Sequence, residues 1–171
     1  VRTLDGITRL LSSIDANRRL VLSPVGKHFA RISDEYETSN SNRITSQSDV
    51  SEWNVLIVDD VFDNIAIAEA VMDFNGASVH HAVNGIEGLE ILETNAINLI
   101  LLDLSMPDMN GWDMHTQLRQ NPKTADIPVI ALTAHAMQGD REKVMNAGFD
   151  GYIAKPFSVT TLISEIKTIL D

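Results

Sequence analysis

Between residues 53 and 171 the sequence alternates five short apolar runs with five amphipathic stretches, a pattern that few folds can bury. The runs lie at 55–58, 79–83, 99–102, 127–132 and 152–154, and the second of them is weak. Stretches with helical spacing lie near 64–74, 86–94, 112–120, 137–147 and 159–170. A strand that is apolar at nearly every position needs cover on both faces, and helices between such strands supply it. The pattern therefore predicts a doubly wound α/β domain, with a five-stranded parallel sheet, over 53–171.

In an open sheet of this kind, ligands bind beyond the carboxyl ends of the strands. This sequence places Asp59 and Asp60 after the first run, Asp103 after the third and Thr133 after the fourth. Lys155, followed by Pro156, comes after the fifth. Singly, each has an ordinary reading. Asp59, Asp60 or Thr133 could cap a helix, Asp103 could belong to the loop marked by Pro107 and Gly111, and Lys155 could be a solvated surface charge. Capping does not explain all five at successive strand ends. Three carboxylates on one rim repel each other, and a hard divalent cation such as Mg2+ resolves the conflict with its preference for oxygen ligands. Beside such an ion, one carboxylate can attack phosphorus and form an acyl phosphate. An ammonium and a hydroxyl then meet the charge on the transferring oxygens. The set points to phosphoryl transfer onto Asp103.

Composition removes several other classes. There is no cysteine, which excludes a disulfide scaffold, a thiolate metal site and a cysteine nucleophile. Residues 1–52 carry seven charges of each sign, so the six Lys/Arg and seventeen Asp/Glu of 53–171 hold the whole imbalance of −11. A domain this acidic repels nucleic acid and anionic membranes, leaving cations and proteins as the expected partners. The longest apolar stretches, such as 97–102, are too short to cross a bilayer, and no signal-peptide pattern opens the chain. The expected location is cytoplasmic. A start at Val1 rather than Met reads as a fragment or a trimmed product.

Two features precede the domain. Residues 38–52 are rich in Ser, Asn and Thr, with Ile44 and Val50 the only sizeable apolar residues of 38–51, and read as a linker. Over 1–37, Leu4, Ile7, Leu10, Leu11 and Ile14 follow helical spacing before Pro24 and Gly26 interrupt it, and Phe29 and Ile32 mark a second short helix. Such a helical extension cannot build a core alone. It needs a partner surface, on its own domain, on another protein or on a second copy in a homodimer.

Four segments carry a family resemblance. VLIVDDVFDN (55–64) resembles a first strand with its acid pair, and LILLDLSMPDMNGWD (99–113) a strand, an acceptor aspartate and the loop after it. PVIALTAHAMQGD (128–140) and AGFDGYIAKPF (147–157) complete the set. Together they are similar to the response-regulator receiver domains of two-component signalling, in particular to single-domain receivers and those ending hybrid histidine kinases. The resemblance implies a flavodoxin-like fold, Asp103 as phosphoacceptor, and Mg2+ held by Asp59, Asp60, Asp103 and the backbone carbonyl of Ser105. It implies that Thr133 and Lys155 contact the phosphoryl oxygens and that the Lys155–Pro156 peptide is cis. Tyr152 matches the switch aromatic that turns inward as Thr133 moves toward the phosphate. The implied partners are a sensor histidine kinase or phosphotransfer protein upstream and a protein that reads the surface of about 137–170 downstream. The implied activity is that of a switch, limited to the protein's own phosphorylation and slow dephosphorylation, and not that of an enzyme. No output domain for DNA is expected after the last helix. His28 does not resemble a phosphotransfer histidine, and His80, His81, His115 and His135 lack metal-ligand spacing.

Rival readings fit less well. A haloacid-dehalogenase-like phosphatase places a second acid two residues beyond its nucleophile, where this chain has Ser105. A nucleotide or flavin module needs a glycine-rich loop after the first strand, and DDVFDN contains no glycine. A docking module independent of phosphorylation would not need all five site residues, and all five are present.

Overall fold

The computed structural model describes residues 43–134 and 138–171. The expected helical extension over 1–37, the first part of the linker, and His28, His135 and Met137 lie outside the described residues. Five strands and five helices follow one another from residue 54. They are β1 (Asn54–Val58), α1 (Phe62–Phe74), β2 (Ser78–Ala82), α2 (Gly85–Thr94), β3 (Leu99–Asp103), α3 (Gly111–Gln120), β4 (Val129–Thr133), α4 (Gln138–Asn146), β5 (Gly151–Ala154) and α5 (Leu162–Ile169). All pairings are parallel, in the order β2-β1-β3-β4-β5. This is the five-stranded doubly wound sheet that the alternating pattern predicts.

Side-chain alternation divides the apolar residues between the two faces. Val55, Ile57, Leu99, Leu101, Ile130 and Leu132 pack with Ile65 and Met72 of α1 and Leu162 and Ile166 of α5. Leu56, Val58, Ile100, Leu102, Val129 and Ala131 pack with Met114 and Leu118 of α3 and Val144 of α4. β3 and β4 are buried at every position, as near-continuous apolar strands in the middle of a covered sheet must be. The weak second run becomes β2, an edge strand whose His80 and His81 are at least partly exposed. Its mixed polarity is that of a strand with one side facing water.

From Arg43 onward, the polar stretch expected to be a linker is packed. Ile44 and Val50 are buried in the α1–α5 layer, and a short 3-10 turn (Val50–Glu52) leads into the strand. Asp49 caps that turn by accepting from the Ser51 amide at 3.0 Å. Asn98 then fastens the starts of β1 and β3, accepting from the Asn54 amide at 2.7 Å and donating to the Glu52 carbonyl at 2.9 Å. Two apolar residues in a polar stretch suffice to seat it when both meet one core.

Winding reverses beside β1, since β2 lies to one side of it and β3 to the other. The connections therefore diverge above the carboxyl ends of β1 and β3, and a crevice opens there.

Candidate functional site

Asp59 directly follows β1, and its amide still donates to the Ala82 carbonyl at 3.1 Å, which fixes the residue in line with the sheet. Its carboxylate is fully buried. One oxygen accepts from the Val61 amide at 2.9 Å and the Asn64 side chain at 3.0 Å. Val61 is the N-cap of α1 and offers no side-chain cap of its own, so Asp59 satisfies part of that helix start from outside. Asp60, next in the chain, is exposed.

Asp103 ends β3 and is 5% exposed. One oxygen accepts from the Ser105 amide at 3.3 Å. The loop beyond folds back so closely that a Cβ on Gly111 would stand 2.1 Å from the Asp103 carbonyl oxygen. Only a glycine lets α3 begin there, and its amide donates to the Leu104 carbonyl at 3.3 Å. Asn110 caps α3, accepting from the Asp113 amide at 2.9 Å.

Lys155 joins the two acids. Its ammonium lies 2.6 Å from Asp59 and 3.1 Å from Asp103. Its amide donates to the Thr133 carbonyl at 2.7 Å, tying the end of β4 to the loop after β5, and the Lys155–Pro156 peptide is cis. Thr133 itself is the buried last residue of β4. Tyr152, half-buried on β5, pairs in register with Ala131 and lies under the guanidinium of Arg141.

Burial pushes the Asp103 carboxyl above the ordinary aspartate range, and the charge of Asp59 adds to that. The Lys155 hydrogen bond and charge, with the Ser105 amide, oppose the rise without cancelling it. One lysine thus faces two buried carboxylates, with the exposed Asp60 beside them. Oxygens of Asp59, Asp60 and Asp103 lie within 4.8 Å of one another, an all-oxygen donor set that suits a small hard cation.

Of the residues singled out from sequence, Asp59, Asp60, Asp103 and Lys155 come together directly, and Thr133 is joined to them through its backbone. Ser105 is represented by its amide on Asp103. Tyr152 is two strand positions short of the pair Thr133 and Ala154. Sequence reasoning missed two contributors, Asn64 on the Asp59 carboxylate and Gly111 against the Asp103 backbone. Both lie inside the quoted motifs, yet their roles depend on contacts that spacing does not reveal.

Residues 55–167 match the family model described as the response regulator receiver domain. The aerobic respiration control sensor protein ArcB of Escherichia coli K12 is 37% identical over 119 residues, which is 69% of this chain but 15% of ArcB. The polar-differentiation response regulator DivK of Brucella anthropi is 34% identical over 117 residues, 68% of this chain and 95% of DivK. Among solved structures, a putative response regulator from Chloroflexus aurantiacus aligns with a TM-score of 0.65 at 30% identity, covering 69% of this chain and 97% of its own. The receiver domain of a sensor histidine kinase from Pseudomonas aeruginosa PAO1 aligns at 0.62 and 31%, covering 69% and 97%, and its structure has a magnesium ion coordinated in the active site cleft.

Proposed function

The chain belongs to the response regulator receiver domain family, and from that premise we propose that it is a phosphorylation-dependent switch with Asp103 as the acceptor. Receiver domains are signalling switches of two-component systems. The observation that carries the specific reading is the Lys155 ammonium held between the buried carboxylates of Asp59 and Asp103, with Asp60 beside them.

Asp59, Asp60, Asp103 and the Ser105 carbonyl would hold Mg2+, as the acidic set and the magnesium of the Pseudomonas receiver suggest. When bound, the ion offsets the carboxylate charge and that of the phosphoryl oxygens. An Asp103 oxygen attacks the phosphorus of a phosphohistidine on a histidine kinase or phosphotransfer protein. The P–O bond forms as the P–N bond breaks, and the imidazole leaves. Lys155, already within reach of Asp103, meets the negative charge of the transferred group. The Thr133 hydroxyl donates a further hydrogen bond to it, and Tyr152 turns inward as Thr133 moves. Hydrolysis of the acyl phosphate by water resets the switch. A downstream protein reads the difference between the two conformations.

The experiment combines acetyl phosphate labelling with calorimetry. Wild type with Mg2+ is expected to gain one phosphate and Asp103→Asn none. Asp60→Ala is expected to weaken Mg2+ binding about tenfold or more. Equal labelling of wild type and Asp103→Asn would remove Asp103 as acceptor, and unchanged affinity in Asp60→Ala would place the metal elsewhere.

A further inference from the structure

β5 is an edge strand, so a side chain on its α4 side is walled by one strand and one helix. Tyr152 stands there half-buried, with only the methyl group of Ala131 as its register partner. The next pair on the same face of these strands is Thr133 with Ala154, and Lys155 follows. Ring and site are thus carried by the same two strands. Over the ring lies Arg141 of α4, its guanidinium carbon 5.6 Å from the ring centroid. At that distance a cation is attracted to an aromatic face. Arg141 is exposed, and among the described side chains of α4 Val144 is the buried one.

We infer that Arg141 is a positioning residue for the switch: stacked on Tyr152, it holds the ring half-buried, ties α4 to β5 and opposes the inward turn. This rests on the phosphoryl-switch reading above. An inward turn takes the ring from under the guanidinium, so the contact exists in one conformation and not in the other. A contact made in one state only biases the equilibrium by its own free energy. For an exposed cation over an aromatic ring, that bias is about two- to fivefold. Loss of Arg141 then releases ring and helix together, and the phosphoryl-bound state becomes easier to reach.

The test is the affinity of the full chain for beryllium fluoride, a phosphoryl mimic, in the presence of Mg2+. Arg141→Ala is expected to bind about two- to fivefold more tightly than wild type, with Arg141→Lys in between. The gain is expected to persist in a Tyr152→Phe background, which keeps the aromatic face, and to vanish in Tyr152→Leu. Urea unfolding of each variant confirms that it is folded. Equal affinity of wild type and Arg141→Ala, or a gain that survives Tyr152→Leu, overturns the inference while leaving the switch reading intact. A wild type that takes no beryllium fluoride overturns the switch reading and this inference with it.

Discussion

Asp103 is costly to the resting fold. It is buried beside a second buried carboxylate, and one lysine serves both. Its carboxyl is pushed up from 3.8, so across the window between 3.8 and the folded value the folded protein holds more protons than the unfolded chain. Stability therefore falls as pH rises through that window, and the penalty is complete above the folded value. Asp103→Asn removes the charge and leaves the Lys155–Asp59 contact in place. Its expected effect on the metal-free protein is a gain on the order of 0.5–2 kcal/mol, in keeping with the usual tension between function and stability. Urea unfolding in the presence of a chelator measures it, and a loss of stability would mean that the Lys155 contact outweighs the burial. The positions of the acids and the lysine were legible in the sequence because each directly follows an apolar run. Asn64 was not, because a polar residue in the first turn of a helix looks the same whether it faces water or the Asp59 carboxylate.

The elements around the site depend on close backbone approach and on one histidine. Gly111 lets α3 start against the Asp103 backbone, and the atoms a Cβ would meet there are all main-chain. Gly111→Ala is therefore expected to cost on the order of 3 kcal/mol. Gly88→Ala in α2 meets chiefly the flexible end of Met114 at 2.8 Å, and is expected to cost less than about 1.5 kcal/mol. Thermal unfolding of the two variants checks the contrast, and similar losses would contradict the close approach at Gly111. His115 of α3 is stacked on Phe149 with ring centroids 3.8 Å apart, and its Nε2 is buried without a hydrogen-bond partner. Burial holds its pKa below 6.5, helped by Arg119 and opposed by the Gly148 backbone and Asp150. The unfolded chain then takes up the proton first as pH falls through 6.5, so stability declines on acidification until the folded value is passed. His115→Phe is expected to flatten the difference between urea midpoints at about pH 7.5 and 5.5. An unchanged difference would show that His115 titrates as it does in water. The sequence shows no metal-ligand spacing around His115, and the stack on Phe149 gives it a packing role.

At the scale of the whole molecule, the alternation of apolar runs and amphipathic stretches conveyed the sheet, the strand count and the rim on which the acids meet. It conveyed less at the edges. β2 looked weak because an edge strand tolerates polar side chains, and residues 43–52 looked like a linker because their burial rests on Ile44 and Val50 alone. Among the described residues no helix is long and apolar enough to cross a membrane. Whether this arrangement works as a phosphoryl switch comes down to which carboxylate carries the acyl phosphate. Treating the chain with acetyl phosphate and Mg2+, then reducing it with borohydride, converts an aspartyl phosphate to homoserine that peptide mass spectrometry can locate. The expected result is homoserine at position 103, and only when Mg2+ is present. Homoserine at position 59 or 60, or none under conditions that phosphorylate another receiver, would contradict it.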